Sequence, residues 1–93
     1  MDLLAEITTG ELVHIELQRR QENSFAFRML EYSVAITRVH GRVPHQIALY
    51  IGSEPLRMAD RYDWAYGSAR FTLIDIRDLD GKSLLAVRNW AVI

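Results

Sequence analysis

The run Val13-His14-Ile15-Glu16-Leu17-Gln18 constrains the fold more than any other stretch of this chain. It alternates apolar and polar residues with the period of two that belongs to a β-strand. Side chains leave a strand to opposite faces in turn. Val13, Ile15 and Leu17 therefore share one face, and His14, Glu16 and Gln18 share the other. A carboxylate and a carboxamide side by side on a sheet face need either solvent or a chemical role.

The segment upstream sets what lies beside them. Asp2 to Ile7 has strand character, Thr8-Thr9-Gly10 forms a loop in which Gly10 can supply a positive φ, and Glu11 to Gln18 returns as the hairpin partner. A three-residue loop places Leu3 across from Ile15 and Ala5 across from Val13, one apolar face throughout, and puts Asp2 opposite Glu16. A two-residue loop would pair Leu3 with Glu16 and Ala5 with His14, mixing the faces. The first register is the consistent one, and it brings the Cβ atoms of Asp2 and Glu16 to roughly 5 Å.

Beyond the hairpin, Asn23-Ser24 reads as a helix N-cap, and Phe25, Met29, Tyr32, Ile36 and Val39 recur at helical spacing. Gly41 closes that helix, with Pro44 just beyond. Gln46 to Ile51 reads as a strand ended by Gly52, so strand, helix and strand form a parallel right-handed crossover. Ser53 to Ser68 is irregular and reads as a short helix or an ordered surface loop. Arg70 to Ile76 reads as a final strand, Asp78-Leu79-Asp80-Gly81 as a turn, and Leu84 to Ile93 as the start of a helix. The fold class is α/β: a mixed sheet of about four strands with a crossover helix over residues 24–40 on one face.

Ninety-three residues make one domain, which buries only about 60–65% of its unfolded surface, so a second copy is a reasonable way to complete the core. The uncapped apolar ending Trp90-Ala91-Val92-Ile93 reads as a truncated element or a docking surface, and a homo-oligomer such as a homodimer is expected. A net charge of −1 excludes a global basic field for nucleic acid, so any contact with DNA falls to a local patch. The absence of cysteine excludes disulfides and thiolate metal sites and fits a cytoplasmic protein. No run approaches the roughly 18 apolar residues of a membrane span. Met-Asp-Leu-Leu-Ala-Glu lacks the basic start of a signal peptide. No glycine-rich phosphate loop, Ser/His/Asp arrangement or zinc signature is present, and no small-molecule cofactor is expected.

The chemistry open to this face is that of a hard cation. Mg2+ takes oxygen ligands, commonly one or two carboxylates completed by water and phosphate. Asp2 and Glu16, opposed across the hairpin, can supply them, with the Leu17 carbonyl adjacent and Gln18 beside the attacking water of a phosphodiester hydrolysis. The plainer reading leaves Asp2 at a frayed end and Glu16 and Gln18 in solvent. Arg19 and Arg20 follow the strand and Arg28 stands on the next helix, where all three can meet phosphates or belong to an ordinary charged loop. His14 shares the Glu16 face and is either a ligand or, more plainly, a solvent-facing histidine, and His40 sits where a helix end favours positive charge. Tyr62, Trp64 and Tyr66 form either a base-stacking platform or, more plainly, a hydrophobic cluster under a loop.

The ordered set of segments resembles one family. Asp-Leu-Leu at 2–4, the hairpin to His14-Ile15-Glu16-Leu17-Gln18, the helix with Arg28-Met29-Leu30-Glu31-Tyr32, and the strand ending Leu49-Tyr50-Ile51-Gly52 follow one another as in the recombination-promoting nuclease or transposase-like branch of the PD-(D/E)XK nuclease superfamily. The stretch from Phe71 to Asp80 and the ending Asn89-Trp90-Ala91-Val92 are also similar to it, so the likeness covers nearly the whole chain. The resemblance implies a restriction-endonuclease-like core and Mg2+-dependent DNA endonuclease chemistry. It puts the family aspartate on Asp2, the acidic residue of its E-x-K or E-x-Q motif on Glu16 and the last motif position on Gln18. Arg28 and Tyr32 have the spacing of the Q-x-x-x-Y helix motif of other branches, with arginine for glutamine, and the resemblance makes them contacts to the ligating residues or to DNA. It further implies that a helix and a strand precede the aspartate and that helical segments follow the last residue, the chain being the centre of such a domain. The alternative is a non-catalytic, homo-oligomeric interaction protein derived from a nuclease domain.

Overall fold

The structure is a computed structural model that describes residues 2–79 and the backbone of 91–92. Strands β1 (Asp2–Glu6) and β2 (Leu12–Gln18) form an antiparallel hairpin. Its register is the one that keeps the faces unmixed: Asp2 pairs with Glu16, Leu3 with Ile15 and Ala5 with Val13. Gly10 turns the loop at φ +89, a conformation in which a Cβ is strained. Arg42 donates to the Gly10 carbonyl and, at 3.2 Å, to the Glu6 carboxylate, which holds the hairpin loop against the chain that follows the helix.

Helix α1 (Phe25–His40) starts after Ser24, whose side chain makes no capping bond, and ends at Gly41 with φ +70. The Gly41 N–H donates to the Thr37 carbonyl at 2.8 Å, closing the last turn. The helix returns the chain to the start of β3 (His45–Tyr50), which lies parallel to β2, His14 beside Gln46 and Glu16 beside Ala48. Strand β3 thus starts and ends one residue earlier than the apolar run implies. Strand β6 (Thr72–Asp75) lies parallel to β3, and a 3-10 turn over Ile76–Asp78 follows it. The mixed sheet has the order β6-β3-β2-β1-β7, its last member being the two-residue β7 (Ala91–Val92).

Three sequence expectations are corrected. Residues 53–68 hold neither a short helix nor only a loop: β4 (Arg61–Trp64) and β5 (Gly67–Arg70) make a separate antiparallel hairpin. Ala91 and Val92, expected within a helix, are extended and pair with Glu6 and Ala5 of β1, while the rest of the expected Leu84–Ile93 helix and the second half of the expected turn lie outside the described residues. Val39, on the apolar stripe of α1, is 77% exposed, whereas Phe25 and Met29 in the first two turns of the helix are buried. Apolar periodicity states which face can be buried and not what lies beneath it.

The core under α1 joins Phe25 and Met29 to Ala48 of β3 and to Phe71, with Ala26, Tyr32, Met58 and Leu73 packed at its edge. Phe25 and Phe71 meet edge to face at 5.6 Å. Because Ala48 shares its face with Glu16, His14 and Gln46, α1 covers the polar face of the hairpin. His14, Glu16, Gln18 and Gln46 are all buried, not solvated. Burying four polar side chains is costly unless each finds a partner, and their partners define the site.

Candidate metal centre

Pairing of β1 with β2 sets the Asp2 carboxylate beside Glu16, and the alternation of β2 sets His14 two residues away on the same face. His14 Nε2 lies 3.4 Å from Asp2 Oδ2 and 3.7 Å from Glu16 Oε2. One ligand atom from each of the three residues falls within 4.8 Å of the others. The cluster is open on one side only: the Asp2 side chain is 60% exposed, against 8% for Glu16 and 1% for His14.

The solvent-facing reading of His14 is therefore overturned. Strand β2 lies inside the sheet between β1 and β3, and Tyr32 of α1 meets the imidazole edge-on at 5.5 Å. Burial holds the His14 pKa below its ordinary value, against the nearby Asp2 carboxylate that pulls it up. Burial likewise pushes the Glu16 carboxyl above its ordinary value, with Asp2 adding to that shift and positive charge, Arg28 included, opposing it. Among the described residues, neither Glu16 Oε2 nor His14 Nε2 completes a hydrogen bond. An unbonded, buried carboxylate oxygen facing a second carboxylate is what a bound cation would satisfy. Two carboxylates with one open side also suit Mg2+, which keeps several waters and binds phosphate through the remainder of its shell.

The other sequence-chosen residues surround this point in two groups. Gln18 is buried, its Oε1 accepting from Arg28 Nη2 at 3.0 Å and its Nε2 donating to the Arg20 carbonyl at 2.8 Å. One amide hydrogen remains to it. Arg28 is fixed in turn by Glu22, whose carboxylate accepts from Nη1 at 2.6 Å, and its guanidinium lies 5.3 Å from the centre of the Phe25 ring. Arg28 and Tyr32, one helical turn apart, both reach β2, the first at Gln18 and the second at His14. Arg19 and Arg20 are exposed just past the strand. Leu17 lies one position beyond the last β1–β2 pair and is paired on its other side with Leu49.

Sequence reasoning missed Gln46 and Glu22. Gln46 donates to the Met29 carbonyl at 2.8 Å and lies 3.1 Å from His14 Nδ1. Its signal was weak, a single polar residue opening an apolar run, and its place beside His14 follows only from the parallel register. The aromatic group divides. Tyr62 stacks on Trp64 at 5.9 Å and packs on Phe27 of α1 at 5.0 Å, whereas Tyr66 in the turn is 95% exposed. No helix among the described residues is long and apolar enough to cross a membrane. No protein-family model, curated protein or solved structure matches this chain.

Proposed function

We propose that the chain is a nuclease-type domain of PD-(D/E)XK character whose reaction class is Mg2+-dependent hydrolysis of DNA phosphodiesters. The observation that carries this reading is the buried Glu16 oxygen, which has no partner among the described residues, opposite the Asp2 carboxylate. Asp2 and Glu16 hold the cation, with the Leu17 carbonyl adjacent. When bound, Mg2+ lowers the pKa of a water and holds the scissile phosphate. Gln18, pinned by Arg28, offers its remaining N–H to that water or to a phosphate oxygen. Tyr32 closes the inner wall of the site against His14. The exposed Arg19 and Arg20 meet the DNA backbone and confer no sequence preference. Cleavage of plasmid DNA with Mg2+ or Mn2+ tests the reading: wild type nicks the plasmid and Glu16→Ala does not. Equal cleavage by both removes Glu16 from the chemistry.

A second reading, a non-catalytic protein that associates with its own copy, is favoured by a different observation. Helix α1 exposes Phe27, Val34 and Val39 at 44%, 53% and 77%. Sedimentation velocity tests it: a species that stays monomeric at every concentration removes this second reading.

A further inference from the structure

Distances alone make Asp2, His14 and Glu16 look like three equal ligands. We propose instead that His14 is locked with its proton on Nε2, and that it serves as a hydrogen-bond donor positioning the two carboxylates rather than as a third ligand. This rests on the cation reading of the same site, and it is decided by a separate measurement.

The lock begins at a main-chain carbonyl. Gln46 Nε2 lies 2.8 Å from the Met29 oxygen, which can only accept, so the amide must turn its nitrogen that way. The same nitrogen lies 3.1 Å from His14 Nδ1. With one amide hydrogen given to Met29, the other points at Nδ1, and Nδ1 must present its lone pair. A neutral imidazole carries one proton, which is then on Nε2. Flipping the amide would bring two acceptor oxygens to the 2.8 Å separation now held by the donor pair. Gln46 is 7% exposed and Met29 fully buried, so water does not relieve that repulsion.

A histidine that binds a metal coordinates through one nitrogen and donates the N–H of the other to an acceptor. His14 has the opposite arrangement: its far nitrogen receives a hydrogen bond, and the nitrogen facing the cluster carries the proton. At 3.4 Å from Asp2 and 3.7 Å from Glu16, Nε2–H falls just short of either carboxylate. A small shift closes a bond to whichever oxygen is turned away from the cation. The site then offers oxygen ligands alone, which selects Mg2+ or Mn2+ over Zn2+, an ion that gains from imidazole and thiolate.

The test is a long-range 1H–15N correlation spectrum of the 15N-labelled protein, at a pH where the ring is neutral, recorded before and after saturation with Mg2+. The expected result is the Nε2–H form of His14 in both spectra. The Nδ1–H form in the metal-free protein, or loss of the Nε2 proton on adding Mg2+, overturns the proposal. Failure of Mg2+ to bind removes the cation reading and leaves the metal-free spectrum to decide the lock. Affinity gives a second readout. His14→Leu should weaken Mg2+ by about 10- to 100-fold, as loss of an outer-sphere partner does, and His14→Gln should recover most of that by restoring a donor. Loss in His14→Gln as complete as in Glu16→Gln makes His14 a ligand and overturns the proposal.

Discussion

At Glu16 a carboxylate sits on the covered face of an inner strand with one oxygen unbonded, and this geometry has a cost in the absence of a cation. Burial raises its pKa, so the folded protein binds this proton more tightly than the unfolded chain. In the metal-free protein the stability contribution of Glu16 is most favourable below its ordinary value of 4.5 and is lost as pH rises through the higher folded value. His14 has the opposite slope. Its folded pKa is lowered, so its contribution is present above the ordinary value of 6.5 and is lost as pH falls through the lower folded value. Glu16→Gln should therefore stabilise the metal-free protein at neutral pH by about 1 kcal/mol. It should leave a pH profile governed by His14, with stability falling on the acid side of 6.5. Thermal melts of both proteins across pH measure this, and a Glu16→Gln protein less stable than wild type contradicts it. The alternation of residues 13–18 made Glu16 and Gln18 legible as a pair. It did not reveal that the face they share is the one α1 covers. That outcome depends on where Phe25 and Met29 find partners, and Ala48 supplies one on the Glu16 side.

Among the elements, the β1–β2 hairpin was readable down to its register because only one loop length keeps its two faces unmixed. Helix α1 was readable from its spacing and from Gly41. The β4–β5 hairpin was not. Its strands have four residues each, and Ala65-Tyr66 between them carries none of the Asn-Gly or Asp-Gly chemistry that marks a two-residue turn. Two glycines test the connections around the site. Gly41→Ala should cost about 1 kcal/mol from backbone strain alone, since open space surrounds its Cβ position at φ +70. Gly52→Ala should cost more. Its Cβ would collide with the Arg19 carbonyl and the Tyr50 ring, where the chain leaving β3 runs close beside the end of β2. Equilibrium denaturation should rank wild type, Gly41→Ala and Gly52→Ala in that order of falling stability. A Gly52→Ala protein as stable as wild type would show that this approach is not close.

Among the described residues of the whole molecule, one α-helix covers one face of a mixed sheet, and the β1–β2 hairpin carries both proposed ligands. This economy explains why the site could be read from sequence further than its surroundings. Asp2, Glu16 and Gln18 lie on two adjacent strands joined by a short loop, whereas Gln46, Arg28 and Tyr32 reach the site only through the crossover. If Asp2 and Glu16 form a cation site, calorimetric titration of Mg2+, with Mn2+ as a second probe, should find one bound ion per chain for wild type, with binding lost in Asp2→Asn and in Glu16→Gln. No binding to the folded wild type, or equal binding by all three proteins, would contradict it.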